Sequence, residues 1–129
     1  MFDRYMICEE TVRNVTEGGK VTGFQFGARI AYYRGLGLSM VEGLGVSVDG
    51  VPVPAQDIRF TVGQRTFTLA QMETEYEARW EFGEVAIVTV LQPGGLPAGE
   101  HKIEFTENLR IAYMPFPLTG RDAKVVRIG

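Results

Sequence analysis

The sequence predicts an all-β fold, a two-sheet antiparallel β-sandwich with at most one short helical turn. Three observations lead there. Glycine occurs 16 times in 129 residues, often in turn dipeptides. Short runs of β-branched and aromatic residues separate those turns, as strands require. At several turns the hydrophobic phase of the flanking runs agrees with the local turn chemistry. Two sheets packed face to face, with about eight or nine strands, bury such runs most economically.

The first hairpin is the weakest, turning at Gly18-Gly19 with Glu17 opposite Lys20. The clearest follows at Asp49-Gly50, a dipeptide that accepts positive φ at both central positions, as a type I′ turn demands. Its register pairs Val48 with Val51 and Val46 with Val53 on one face. A turn at Gly63-Gln64 pairs Val62 with Arg65, Phe60 with Phe67 and Ile58 with Leu69. Thr68-Leu69-Ala70-Gln71 has capping-box form and is followed by the helix formers Met72 and Glu73, which places the one helical turn.

A turn at Gly83-Glu84 pairs Phe82 with Val85 and Trp80 with Ile87, sending Trp80 inward. The run 85–91 is apolar on both faces, so it is expected centrally between two covered surfaces. The longest strand candidate is 101–114, where Ile103, Phe105, Leu109, Ile111 and Tyr113 share one phase. Glu107 falls in that phase too. It is expected where the strand leaves the core, since a single bulge would flip the parity. Pro115 and Pro117 lack the donor a central strand needs. Residues 115–129 are therefore read as an extended C-terminal tail on a single domain spanning 1–129.

Composition narrows the function classes. The formal net charge is −3, with both signs mixed and no basic stripe, which argues against nucleic acid as a partner. A single cysteine, Cys8, cannot form an internal disulfide and suits a reducing compartment. Charges interrupt the first ten residues before any signal-peptide core could form. No stretch approaches the ~18 apolar residues of a membrane span. The expectation is a cytoplasmic protein without membrane contact.

Candidate chemistry is sparse. His101, the one histidine, sits at the entry from a glycine-proline loop into a strand and reads as structural or solvated. Glu73, Glu75 and Glu77 would face one way if extended, which could hold a hard cation but more often keeps a sheet edge soluble. No serine lies in a Gly-x-Ser-x-Gly elbow and no glycine loop joins a strand to a helix for phosphate. No catalytic or metal-ligating residue is assigned. The segment 31–42 stands out instead. Tyr32, Tyr33, Arg34, Leu36, Leu38 and Met40 fit no single strand face, and they are assigned as a partner interface, since Tyr and Arg are enriched at interface hot spots and Met adapts to a partner surface. The plainer reading is a cross-over that covers one end of the sandwich.

As an ordered set, several segments resemble the β subunit of bacterial C-glycoside deglycosidases. They include Met1-Phe2-Asp3-Arg4-Tyr5-Met6-Ile7-Cys8-Glu9, Phe24-Gln25-Phe26-Gly27, Tyr32-Tyr33-Arg34-Gly35 and Leu38-Ser39-Met40-Val41-Glu42. The series continues through Val48-Asp49-Gly50, Asp57-Ile58-Arg59-Phe60-Thr61-Val62-Gly63, Arg79-Trp80-Glu81-Phe82-Gly83-Glu84 and Pro93-Gly94-Gly95-Leu96, and closes at Ile111-Ala112-Tyr113-Met114-Pro115. The resemblance implies a larger α-subunit partner with an isomerase-like barrel and a divalent metal, expected to be manganese. It implies that the pair cleaves the sugar–aglycone carbon–carbon bond of a 3-keto C-glycoside. A C3 ketone acidifies the C2 proton, a metal can stabilise the enolate, and elimination expels the aryl group from C1. It assigns no catalytic residue and no cofactor to this chain. The competing reading is a stand-alone carbohydrate-binding or structural sandwich, which would need Trp80 or a tyrosine exposed for stacking.

Overall fold

The computed structural model describes residues 5–32, 34–111 and 114–128. Its strands in chain order are β1 (Ile7–Glu17), β2 (Lys20–Ala28), β3 (Leu36–Gly37), β4 (Val41–Val48), β5 (Val51–Pro52), β6 (Ile58–Val62) and β7 (Arg65–Thr68). The helical turn α1 (Leu69–Met72) follows, then β8 (Arg79–Trp80), β9 (Ala86–Leu91), β10 (Gly99–Leu109) and β11 (Leu118–Ile128). Short 3-10 turns at Leu38–Met40 and Ala55–Asp57 add to the single helical turn expected.

A five-stranded sheet, β1-β2-β9-β6-β7, faces a four-stranded one, β11-β10-β4-β5, and β3 with β8 form a small third ladder. Every pairing described is antiparallel. The all-β sandwich is as expected. The core forms where alternate side chains of the two sheets meet: Phe24, Phe26, Phe60 and Val88 from one, Val46, Ile103, Phe105 and Leu109 from the other. Phe26 and Phe105 bridge the layers edge to face, with ring centroids 5.3 Å apart. At one side β1 and β11 are tied where the Ile7 N–H donates to the Asp122 carboxylate at 2.9 Å.

Three hairpins follow the expected registers. Glu17 pairs with Lys20, Val48 with Val51, and Phe60 with Phe67. Asp49 and Gly50 carry φ of 51° and 83°, the two positive values the turn required. The β6–β7 hairpin ends one step early, at Arg59 with Thr68, so Ile58 does not meet Leu69 and pairs with Val90 instead. Two local signals compete there and the capping box prevails. The Thr68 hydroxyl accepts from the Gln71 N–H at 3.1 Å, and the Gln71 side chain accepts from the Thr68 N–H at 2.9 Å.

Four expectations need correction. Trp80 does not pair with Ile87; it pairs with Leu36, while Ile87 lies between Gly27 and Thr61. Gly83 does turn, at φ 84°, but β9 gains partners on both sides by inserting between β2 and β6, which one hairpin could not supply. That run is central in its sheet yet covered on one face only: Ala86, Val88 and Val90 are buried, whereas Ile87 and Thr89 are half-buried. Glu107 does not leave the core. It is fully buried in phase with Phe105 and Leu109. Finally, the stretch read as a tail supplies β11, which pairs with β10 from Gly99–Ile128 to Leu109–Leu118. Its alternating charges suit an edge strand, which needs only one apolar face.

Candidate functional site

The register places the ends of both sheets in two groups. At one end lie the tight turns Gly18-Gly19 and Asp49-Gly50 and the 92–98 loop. At the other lie the Gly63-Gln64 turn, the long connections 29–40 and 110–117, and the last part of the 69–85 connection, which leaves β7 at the first end and enters β9 at the second. Long loops on a rigid scaffold are where function concentrates, so the second end is the candidate site.

Its central strap is the cross-over from β2 to β4. The Arg29 N–H donates to Met6 O at 2.8 Å, and the Ala31 N–H donates to Oε1 of the buried Glu107 at 2.8 Å. An acid at a core position is thus a strap anchor. A buried backbone donor needs an acceptor, and the Glu107 carboxyl supplies it. Further on, the Leu38 N–H donates to Ala78 O at 3.0 Å and the Ser39 N–H to Glu75 O at 3.1 Å. The Arg110 N–H donates to Met40 O at 2.8 Å, joining the third long loop to the same strap.

The 73–78 loop is shaped by one carboxylate. Glu75 accepts from the Ala78 N–H at 2.9 Å, the Glu77 N–H at 3.1 Å and Arg65 Nη2 at 3.0 Å. The Ala78 N–H, first among these, holds the Glu75 carboxyl below its usual range. The segment is a turn rather than a strand, so Glu73, Glu75 and Glu77 do not form the one-sided row considered for a cation. Among the described residues no three His, Cys, Asp or Glu side chains come together as a metal-binding group.

The residues expected at a partner interface divide by burial. Tyr32 and Leu38 lie in the chain's own core, Leu36 and Met40 are half-buried, and Arg34 is exposed. Tyr33 lies outside the described residues. The strap therefore covers the sandwich end with one set of side chains and offers another outward. Trp80 is fully buried, its ring 4.9 Å from Phe60 and its Nε1–H donating to Glu84 O at 3.0 Å. That removes it as a stacking platform for sugar. Tyr5, Tyr76, Phe82 and Phe116, not singled out from the sequence, are exposed.

The one described histidine and the one cysteine are both held by the fold. His101 is at the opposite end, with Nδ1 2.7 Å from an Asp49 oxygen and Nε2 2.7 Å from Pro97 O. Cys8 is buried, and that burial pushes its thiol pKa up, away from a reactive thiolate. Among the described residues no helix is long and apolar enough to cross a membrane.

Comparison with known proteins adds the following. A family model described as C-glycoside deglycosidase beta subunit matches residues 2–113. The chain is 33% identical over 104 residues to a protein of Eubacterium cellulosolvens named C-glycoside deglycosidase beta subunit, covering 80% of this chain and 71% of that one. A Microbacterium protein named 3'-dehydrocarminate deglycosidase beta subunit is 35% identical over 95 residues, 73% of this chain and 70% of its own. An Arthrobacter globiformis protein named C-glycoside deglycosidase beta subunit is 28% identical over 93 residues, 71% of this chain and 70% of its own.

Proposed function

The chain belongs to the C-glycoside deglycosidase beta subunit family, and from that premise we propose that it is the accessory subunit of a heteromeric carbon–carbon lyase acting on 3-keto C-glycosides. A beta subunit belongs to a complex and so to an enzyme system. The finer assignment rests on chemistry. A ketone at C3 of the sugar makes the C2 proton removable, and the carbanion so formed can expel an aryl group from C1 once an acid protonates it. The dehydro substrate in the name of the Microbacterium relative supports this class.

The base and acid of that reaction are assigned to the larger α subunit. The observation that carries the division is that His101 and Cys8 are both committed to the fold, the first by two hydrogen bonds and the second by burial. The divalent metal implied by the resemblance finds no group of ligands among the described residues, and we assign it to the partner as well. Burial of Trp80 disfavours a free-standing sugar-binding module built on that residue, whereas the exposed Tyr5 and Tyr76 leave the tyrosine form of that alternative standing.

Co-expression tests the reading. This chain and its α subunit, with a tag on one only, are expected to purify at a fixed stoichiometry that survives gel filtration. Independent migration of the two chains would contradict it.

A further inference from the structure

Eleven aromatic residues lie among the described positions, and seven of them are buried. The four exposed ones are Tyr5 (59%), Tyr76 (76%), Phe82 (53%) and Phe116 (64%). All four belong to one end of the sandwich. Tyr5 precedes Met6, whose carbonyl is bonded to Arg29 at the exit of β2. Tyr76 follows Glu75, bonded to Ser39 of the strap, and Phe82 follows the β8 rung that pairs with Leu36. Phe116 lies in the loop between β10 and β11. Val85, 42% exposed, stands at the same end, immediately before β9. The opposite end has tight glycine turns, and the exposed large apolar residues remaining elsewhere, Val51, Leu91 and Val125, are aliphatic.

A scatter of exposed apolar side chains is ordinary, but concentration of the aromatic ones on a single end is the composition of an interface core. The surrounding charges agree. Arg65 with Glu75 (3.0 Å), Arg79 with Glu81 (3.1 Å) and Arg110 with Glu42 (3.5 Å) are ion pairs within the chain at this same end. Such pairs leave a largely neutral polar rim around apolar anchors. That surface suits a protein with apolar pockets, rather than a polyanion or a strongly charged face.

We propose that this aromatic end is the face on which the α subunit docks, with Tyr5, Tyr76, Phe82, Val85 and Phe116 as anchors flanking the 34–40 strap. The inference rests on the subunit reading above and adds the surface to it. It enlarges the interface expected from the sequence and moves its weight away from Tyr32 and Leu38, which serve the chain's own core.

The test is calorimetric titration of the α subunit into this chain. A Tyr76→Ser/Phe82→Ser/Phe116→Ser variant is compared with wild type and with a Val51→Ser/Val125→Ser control, and circular dichroism follows the fold. Loss of three anchors is expected to weaken association about a hundredfold or more, against little change in the control. Hydrogen exchange on the wild-type complex supplies a readout that needs no variant, with protection expected in 73–85 and 110–118. Wild-type affinity in a folded triple variant, or protection confined to the Gly18-Gly19 and Asp49-Gly50 turns, would overturn the docking face and leave the subunit reading standing. Failure of the wild-type chain to bind at all would overturn both.

Discussion

His101 adds a side-chain bridge between the Asp49-Gly50 turn and the 92–98 loop: its Nδ1 is 2.7 Å from Asp49 Oδ2 and its Nε2 is 2.7 Å from the carbonyl of Pro97. Both partners are acceptors, so both ring nitrogens must carry protons for both bonds to form. The Asp49 carboxylate first, and the Pro97 carbonyl second, raise the His101 pKa above its ordinary 6.5. A raised folded pKa contributes stability that is complete below the unfolded value and is lost as pH rises through the folded one. Asp49 behaves oppositely. Its pKa is lowered first by His101 and then by the Lys102 N–H, so its contribution is lost as pH falls through that depressed value. The melting temperature is expected to decline from mildly acidic to alkaline pH, and the advantage of wild type over His101→Gln should shrink over the same range. Parallel melting curves for the two proteins across pH 5–9 would show that the bridge carries no charge-dependent stability.

The Asp49-Gly50 turn is a second point of leverage. Gly50 has φ 83°, and a Cβ built there meets nothing within 4 Å. Any cost of substitution is therefore backbone strain, without a clash. Gly50→Val is expected to cost about 1–3 kcal/mol in urea denaturation, and Gly50→Asn distinctly less, because asparagine tolerates the left-handed region. Equal stabilities for the two variants would contradict the type I′ assignment.

Glu107 tests whether the strap depends on a buried acceptor. Replacement by leucine leaves the Ala31 N–H without this acceptor and is expected to destabilise the chain by about 1–3 kcal/mol, while Glu107→Gln keeps an oxygen for it and should retain most of the stability. A leucine variant as stable as wild type would mean that the strap is held by its other bonds alone.

These residues also show what was legible in the sequence. Turn chemistry is local, so Asp49-Gly50, Gly18-Gly19 and the Thr68–Gln71 capping box could be read with their registers. Strand insertion is not local. Nothing near Gly83 says that β9 will lie between β2 and β6, and local sequence alone favours a tight hairpin. Glu107 was flagged by its phase, which was right, but its chemistry argued against the core. The missing fact was a backbone N–H, 76 positions away, waiting for an acceptor. β11 escaped because Arg121, Asp122, Lys124 and Arg127 hide the alternation of a one-faced edge strand. At the candidate site the strap was visible by composition, whereas the division of its side chains between core and surface required the fold.

Metal removal separates this chain from its partner. Exhaustive dialysis against a chelator is expected to leave the far-ultraviolet circular dichroism and melting temperature of the isolated chain unchanged. The same treatment of the complex should abolish deglycosylation. A chelator-induced loss of β structure in the isolated chain would place a structural metal here, contrary to the assignment made above.

Turnover of a 3-keto C-glycoside is the sharpest test of the accessory-subunit role. The assay follows release of the free aglycone by this chain alone, by the α subunit alone, and by a fixed amount of α subunit titrated with this chain. No release is expected from this chain at any concentration, and the rate should rise with added chain and saturate once the α subunit is fully bound. Product formed by the purified chain on its own would contradict that role, as would an α subunit whose rate is indifferent to the titration.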